Sequence, residues 1–155
     1  KGFVAQKVLD YLVKSAWPYA LVDAGGKICM TSSDKMGGEW SVGLEIPGGT
    51  AISDQMLKLK NCSIASSGKT YQQVQIGDQV YSHVLDPRTG MALTHGRSAT
   101  AIAADGTLAD WLATAATVMS LQEIKKLLVK LPDVRLLVWE INAGKMDILL
   151  NQNLL

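Results

Sequence analysis

The 155-residue sequence predicts an α+β fold, a mostly antiparallel sheet with packed helices, and three features predict it. Apolar residues recur at helical spacing near the start and again after Thr107. The long middle instead alternates with period two or runs short and apolar between glycine-rich breaks. The order is therefore α, several β, α-α, β-β, without the strict strand–helix alternation of a doubly wound parallel sheet.

Phe3, Val4, Val8, Leu9, Leu12 and Val13 form the apolar face of a helix from Gly2 to about Lys14, with Lys7, Asp10 and Lys14 mostly opposite. Trp17-Pro18 ends it, because proline disfavours helical geometry in the residue before it. YALVDAGGKICMTSS reads as two short strands around Gly25-Gly26. Trp40, Val42, Leu44 and Ile46 alternate as one side of a half-buried strand that Pro47 and two glycines stop. CSIASSGKTYQQV is expected to break at Ser67-Gly68 and QIGDQVYSHVL to turn at Gly77-Asp78, which makes a meander. SATAIAAD is another strand. TLADWLATAATVMSLQEIKKLLVKL is helical, with a restart at Ser120 and a stop at Leu131-Pro132. RLLVWEI and KMDILL close the chain as a hairpin about Asn142-Ala143-Gly144. Trp17, Trp40, Trp111 and Trp139 are expected core anchors, although a ring beside a cleft also stacks planar ligands.

The length suits one globular domain or one half of a larger one. A formal net charge of +1 supplies no basic field that would draw nucleic acid or anionic lipid. No apolar run approaches the roughly 20 residues a membrane span needs, and the start is amphipathic rather than a basic-then-apolar leader. The chain opens at Lys1 without methionine, so an upstream segment is expected. Cys29 and Cys62 lack the spacing of a zinc site, and one pair makes no disulfide framework, so their pairing and the redox compartment stay open.

Three polar groupings each have a plain and a functional reading. Thr107 followed three residues on by Asp110 is a capping-box pattern at a helix start. Asp110 and Thr114 also share a helix face, so a carboxylate and a hydroxyl project together, as a hard cation holding phosphates requires. DPRTG is what a type I turn selects, with Arg88 and Thr89 merely exposed. Yet His83 stands within a few residues of Asp86, Arg88 and Thr89, a phosphate-handling set. His95, in THGRS, reads as surface. Gly25-Gly26 and Ser67-Gly68 serve a turn and a strand break, or let backbone amides approach a phosphate closely.

ALVDAGGKI, WSVGLEIP, SIASSGKTYQ, YSHVLDPRTG, SATAIA and ADWLATA follow one another in an order that resembles the C-terminal half of the ApbE family, the FAD:protein FMN transferases. The opening KGFVAQKVLDYLV is similar to the family helix that follows an Ala-Lys-Gly segment, so residues 1–155 would be the C-terminal portion of a two-half enzyme. The resemblance implies a T-fold-related α+β arrangement with FAD in a cleft between halves. It implies a magnesium-dependent enzyme that splits the FAD pyrophosphate, attaches FMN to a threonine or serine hydroxyl of an acceptor flavoprotein and releases AMP. Relatives that hydrolyse FAD to FMN and AMP, and a non-catalytic FAD-binding protein, are the alternatives. By the same resemblance Asp110 and Thr114 match metal-binding positions, and His83 matches the general base. Asp86, Arg88 and Thr89 would shape the phosphate end, while Gly25, Gly26, Ser67 and Gly68 would line the FAD site. The missing N-terminal half would add a metal-binding backbone carbonyl just before Lys1. Family members are often exported lipoproteins, so the periplasm or outer face of the inner membrane is expected, with membrane contact only through an upstream lipid anchor. The chain departs from the family pattern at Asp23, usually asparagine, at Lys27, often an acid, and at Ser66-Ser67-Gly68-Lys69, commonly Thr-Ser-Gly-Asp.

Overall fold

A computed structural model describes residues 1–44, 56–68, 73–142 and 145–154. Ile46, the Pro47 stop, Lys69 and the Ala143-Gly144 turn lie outside the described residues. The chain forms two compact units, Lys1–Ala65 with Ile102–Trp111, and Ser66–Ala101 with Leu112–Leu155.

The first unit opens with α1 (Gly2–Lys14), followed by β1 (Leu21–Asp23) and β2 (Lys27–Met30). These strands pair antiparallel as a hairpin, Leu21 against Met30 and Asp23 against Ile28. Gly25 and Gly26 take φ of +66° and +78°, the left-handed pair a tight hairpin needs, and the Asp23 carboxylate accepts from Gly26 N–H at 2.7 Å. Beyond β2 lies β5 (Cys62–Gly68), antiparallel with Lys27 against Ala65 and Met30 against Cys62. A separate ribbon joins β3 (Trp40–Gly43) to β4 (Met56–Leu59), Trp40 against Leu59. The expected alternation holds on β3, where Val42 and then Leu44 are buried while Ser41 and Gly43 are exposed; β4 was not legible as a strand.

The face α1 turns to the core is narrower than its sequence implied. Gly2, Ala5 and Leu9 are buried, and Ala5 and Leu9 pack with Cys29 against Ala20, Val22 and Ala24. Phe3, Val4, Val8 and Val13 are exposed. The helix ends with Ala16 at φ +70° and Trp17 N–H donating to the Leu12 carbonyl at 3.0 Å, a Schellman closure on a non-glycine residue.

The second unit holds the ribbon β6 (Gln73–Ile76) and β7 (Gln79–Ser82), turned at Gly77 as expected. It also holds most of β8 (Arg97–Ala103), followed in the sheet by β9 (Arg135–Asn142) and β10 (Lys145–Gln152). β9 and β10 pair antiparallel with a register shift between Ile148 and Leu150. Buried Ser98–Ala101 on β8 and Leu136–Trp139 on β9 fill both faces of these strands, the pattern of a sheet interior. The helical region divides as expected into α2 (Gly106–Val118) and α3 (Leu121–Leu128). Ser120 Oγ accepts from Glu123 N–H at 3.2 Å while Glu123 Oε2 accepts from Ser120 N–H at 2.7 Å, a complete capping box.

Two expectations are corrected here. β5 does not break at Ser67-Gly68 but runs through Gly68, where a side chain would overlap Ser98 Oγ and stand 2.6 Å from Ser98 Cβ; the glycine allows close strand approach. Of the four tryptophans, only Trp139 is a fully buried anchor. Trp40 is half-buried with Nε1–H donating to the Thr31 carbonyl at 3.0 Å. Trp17 lies past the end of α1 and Trp111 on the α2 face opposite buried Ala109, Leu112 and Ala113, and both are exposed.

Candidate functional site

In the first unit, the start of α2 lies against the start of α1. A side chain at Gly2 would overlap the Gly106 carbonyl oxygen, and one at Gly106 would stand 2.6 Å from the Gly2 carbonyl oxygen, so both positions require glycine. The first amides of α2 are then satisfied from nearby. Gly106 N–H donates to Gln6 Oε1 at 2.9 Å, and Thr107 N–H and Leu108 N–H donate to Asp105 Oδ1 at 2.8 and 3.0 Å. This corrects the expected Thr107–Asp110 capping box: the helix begins one residue before Thr107, so Asp105 is the cap.

Asp110 is thereby released to other partners. Its Oδ2 accepts from Gly2 N–H at 2.8 Å and lies 3.3 Å from the Lys1 backbone nitrogen, and its Oδ1 faces Lys27 Nζ at 3.5 Å. Burial alone would raise the Asp110 carboxyl, but the Gly2 bond and the Lys27 charge outweigh it and hold the group below its ordinary 3.8. On Lys27 burial outweighs the carboxylate and draws the ammonium below its ordinary 10.5. Thr114 follows one turn later on α2, where its Oγ1 donates to Ser67 Oγ at 3.3 Å within the second unit. Beside it, Ser66 and Thr100 hydroxyls are bonded at 2.7 Å.

The His83 segment forms a tight hairpin in the second unit. Ser82 N–H donates to the Leu93 carbonyl at 2.8 Å, Leu93 N–H to Val84 at 3.0 Å, and Asp86 N–H to Met91 at 2.8 Å. Ser82 and Val84 are buried, so alternation turns His83 and Leu85 together to the exposed side. The tip is the expected turn: Thr89 N–H and Gly90 N–H donate to the Asp86 carbonyl at 3.2 and 2.8 Å, with Gly90 at φ +71°. Thr89 Oγ1 accepts from Met91 N–H at 3.2 Å.

Arg88 is more than an exposed turn residue. Its Nε and Nη2 donate to both Asp86 oxygens, the shortest at 2.8 Å, Nη2 also donates to the Val118 carbonyl at 3.1 Å, and Nη1 lies 3.7 Å from Glu123. The guanidinium so fastens the hairpin tip to the α2–α3 corner and holds the Asp86 carboxyl below its ordinary range.

The structure thus groups Asp86, Arg88 and Thr89 in the tip, His83 on its arm, and Thr114 with Ser67, while Gly25 and Gly26 turn a hairpin of the first unit. Sequence reading missed Gln6 as a partner of α2, and it missed Arg97, whose guanidinium donates to Glu140 Oε1 at 3.1 Å and to the Met119 carbonyl at 2.8 Å. His95 is half-buried, its Nδ1 accepting from Arg97 N–H at 3.4 Å. Cys29 and Cys62 are not joined in a disulfide. A groove of about 350 Å³ in the first unit, bordered by Gln6, Asp10, Lys14, Thr31 and Cys62, contains none of the predicted site residues. Among the described residues no three histidine, cysteine, aspartate or glutamate side chains group as a metal centre.

Fold and site together define an α+β, mainly antiparallel protein whose chemistry-bearing groups stand on tight turns and along one helix. The chain belongs to the ApbE family, whose profile matches residues 1–138. It is 35% identical to the FAD:protein FMN transferase of Treponema pallidum, over 86% of this chain and 40% of that protein. It is 31% identical to that of Klebsiella pneumoniae, over 60% of this chain and 28% of that protein. Among solved structures, the ApbE protein of Thermotoga maritima superposes with a TM-score of 0.76 at 26% identity, over 95% of this chain and 48% of that one. The apo flavinyl transferase ApbE of Pseudomonas stutzeri gives the same TM-score at 21% identity, over 95% and 45%, a likeness of fold alone. The chain spans less than half the length of these relatives.

Proposed function

We propose that these residues serve FMN transfer from FAD to a threonine or serine hydroxyl of an acceptor flavoprotein. One observation carries this reading: the family match runs over residues 1–138 and the relatives it joins are named FAD:protein FMN transferases. In the step, the acceptor oxygen attacks the FMN-side phosphorus of the pyrophosphate, the bond from that phosphorus to the bridging oxygen breaks, and AMP leaves. His83, exposed on a clamped hairpin arm, would take the hydroxyl proton, a task an imidazole suits at neutral pH. Asp86, Arg88 and Thr89 would border the phosphates, Arg88 doing so indirectly because its donors already hold Asp86 and Val118, and Ser67-Gly68 would line the FAD site. Gly25-Gly26 would approach FAD through backbone.

Asp110 and Thr114, a carboxylate and a hydroxyl one turn apart on α2, are a donor set that suits magnesium when phosphates complete its shell, and they would hold it. Bound there, the cation would neutralise charge developing on the pyrophosphate. The expected setting is the periplasmic face of the bacterial inner membrane.

The test uses the protein that carries these residues, with FAD, magnesium and a threonine-bearing acceptor peptide. A peptide mass increased by FMN, lost in His83→Gln while FAD binding persists, supports the reading. AMP without adduct indicates a FAD pyrophosphatase, and FAD retention without AMP a binding protein. Full transfer by His83→Gln rejects the histidine's role.

A further inference from the structure

We propose that Lys27 is an affinity-setting residue: its ammonium occupies the cation position beside Asp110, so this chain holds a divalent ion more weakly than its carboxylate alone would. The inference rests on the reading that Asp110 is a metal ligand.

Lys27 is the first residue of β2, directly after the Gly25-Gly26 turn. Its backbone is held on both sides, Ala24 N–H donating to its carbonyl at 3.1 Å across the hairpin and Ala65 opposing it on β5. From that position Nζ reaches 3.5 Å from Asp110 Oδ1. The other carboxylate oxygen is committed to Gly2 N–H at 2.8 Å, so Oδ1 is the oxygen left for a cation. The side chains of Lys27 and Asp110 are 13% and 21% exposed, so solvent and salt screen this pair less than a surface pair.

A magnesium ion would lie about 2.1 Å from Oδ1, and hence within a few ångströms of Nζ unless the lysine leaves. If the lysine stays, a divalent ion and an ammonium share one carboxylate. At about 5 Å their repulsion is worth roughly tenfold in affinity even with the screening of bulk water, and more in a shielded site. If the lysine leaves, a mostly buried ammonium gives up its carboxylate partner. Either course weakens binding. The nature of residue 27 then selects between an ammonium-neutralised and a metal-neutralised carboxylate.

The experiment measures Mn2+ binding by loss of the free-ion EPR signal, with Mg2+ competition, on the full chain. Thermal melts confirm that each variant folds. Lys27→Gln should bind Mn2+ about tenfold or more tighter than the unaltered protein. Lys27→Met serves if the glutamine variant does not fold. Lys27→Arg keeps the positive charge and should stay within about twofold of the unaltered affinity. Adding Asp110→Asn to Lys27→Gln should erase the gain. Equal affinities for the unaltered protein and the neutral variants, including no binding by either, overturn the proposal, as does a gain that survives Asp110→Asn. Failure of FMN transfer with this pattern intact rejects only the proposed function. Transfer with no effect of Lys27 on Mn2+ rejects only the lysine's role.

Discussion

Gly2→Ala puts a methyl group where the starts of α1 and α2 nearly touch. The new Cβ would overlap the Gly106 carbonyl oxygen, stand 2.5 Å from Asp110 Cβ and 2.9 Å from the Gly106 carbonyl carbon. These atoms belong to backbone or are bonded to it, so no rotamer change relieves the contact. Ordinary contact begins near 3.4 Å, so the start of α1 must retreat about 0.9 Å from Asp110 Cβ. The 2.8 Å bond from Gly2 N–H to Asp110 would lengthen towards about 3.7 Å, beyond hydrogen-bond range. Losing a hydrogen bond to a charged acceptor costs about 1.5–3 kcal/mol. Residual overpacking adds about 1–3 kcal/mol, and the better helix propensity of alanine returns at most about 1 kcal/mol. The net loss is about 1.5–6 kcal/mol, a fall in melting temperature of roughly 5–20 °C for a chain of this size. Circular dichroism melts compare it with Gly77→Ala, where φ is +60° but nothing lies within 4 Å of the added Cβ. That contrast variant bears only the left-handed strain of about 1 kcal/mol. A Gly2→Ala protein melting within 1 °C of the unaltered one, or above Gly77→Ala, refutes the close helix approach.

Ser120→Ala removes the hydroxyl arm of the α3 capping box and should cost about 1 kcal/mol in the same melts; no loss would mean that water replaces the cap. Arg88 hydrogen bonds hold the folded Asp86 carboxyl below its ordinary 3.8, so its contribution is complete above that value and disappears as pH falls through the lowered one. Amide exchange at Gly90 and Met91, taken relative to the unstructured chain at the same pH, should therefore stay slow at about pH 4.5 and accelerate in stronger acid. In Arg88→Gln it should be fast throughout, and acid dependence unchanged by that substitution would contradict the assignment.

Where structure depends on neighbours in sequence, the sequence was a sufficient guide. The Gly25-Gly26 and Gly77-Asp78 turns, the alternation on β3 and the Ser120 restart each rest on contacts among a few adjacent residues. The errors have the opposite character. Phe3, Val4 and Val8 satisfy helical periodicity, yet the face of α1 that packs is chosen by the small side chains of Gly2 and Ala5, which permit close approach. Trp111 is apolar on a helix but lies opposite the alanine-rich side that is buried. Periodicity reports which residues share a face, and a partner decides which face is covered.

The candidate site follows the same division. DPRTG was legible as a turn because its bonds are internal to it, whereas the reach of Arg88 to Val118 spans 30 positions. Thr107 and Asp110 have capping-box spacing, but that rule holds only if the threonine is the N-cap and the helix starts just after it, whereas α2 starts at Gly106. A glycine at 106 lets α1 approach so closely that Gln6 can meet its amide, and Asp105 takes the next two. With those donors satisfied, the Asp110 carboxylate has no capping duty, and its nearest partners arrive from elsewhere, Gly2 from 108 positions away and Lys27 from the β1–β2 turn. An acid that capped its own helix would have its oxygens occupied by α2. Here the same acid faces the Gly2 amide and the Lys27 ammonium, because a neighbouring helix and the preceding aspartate do the capping.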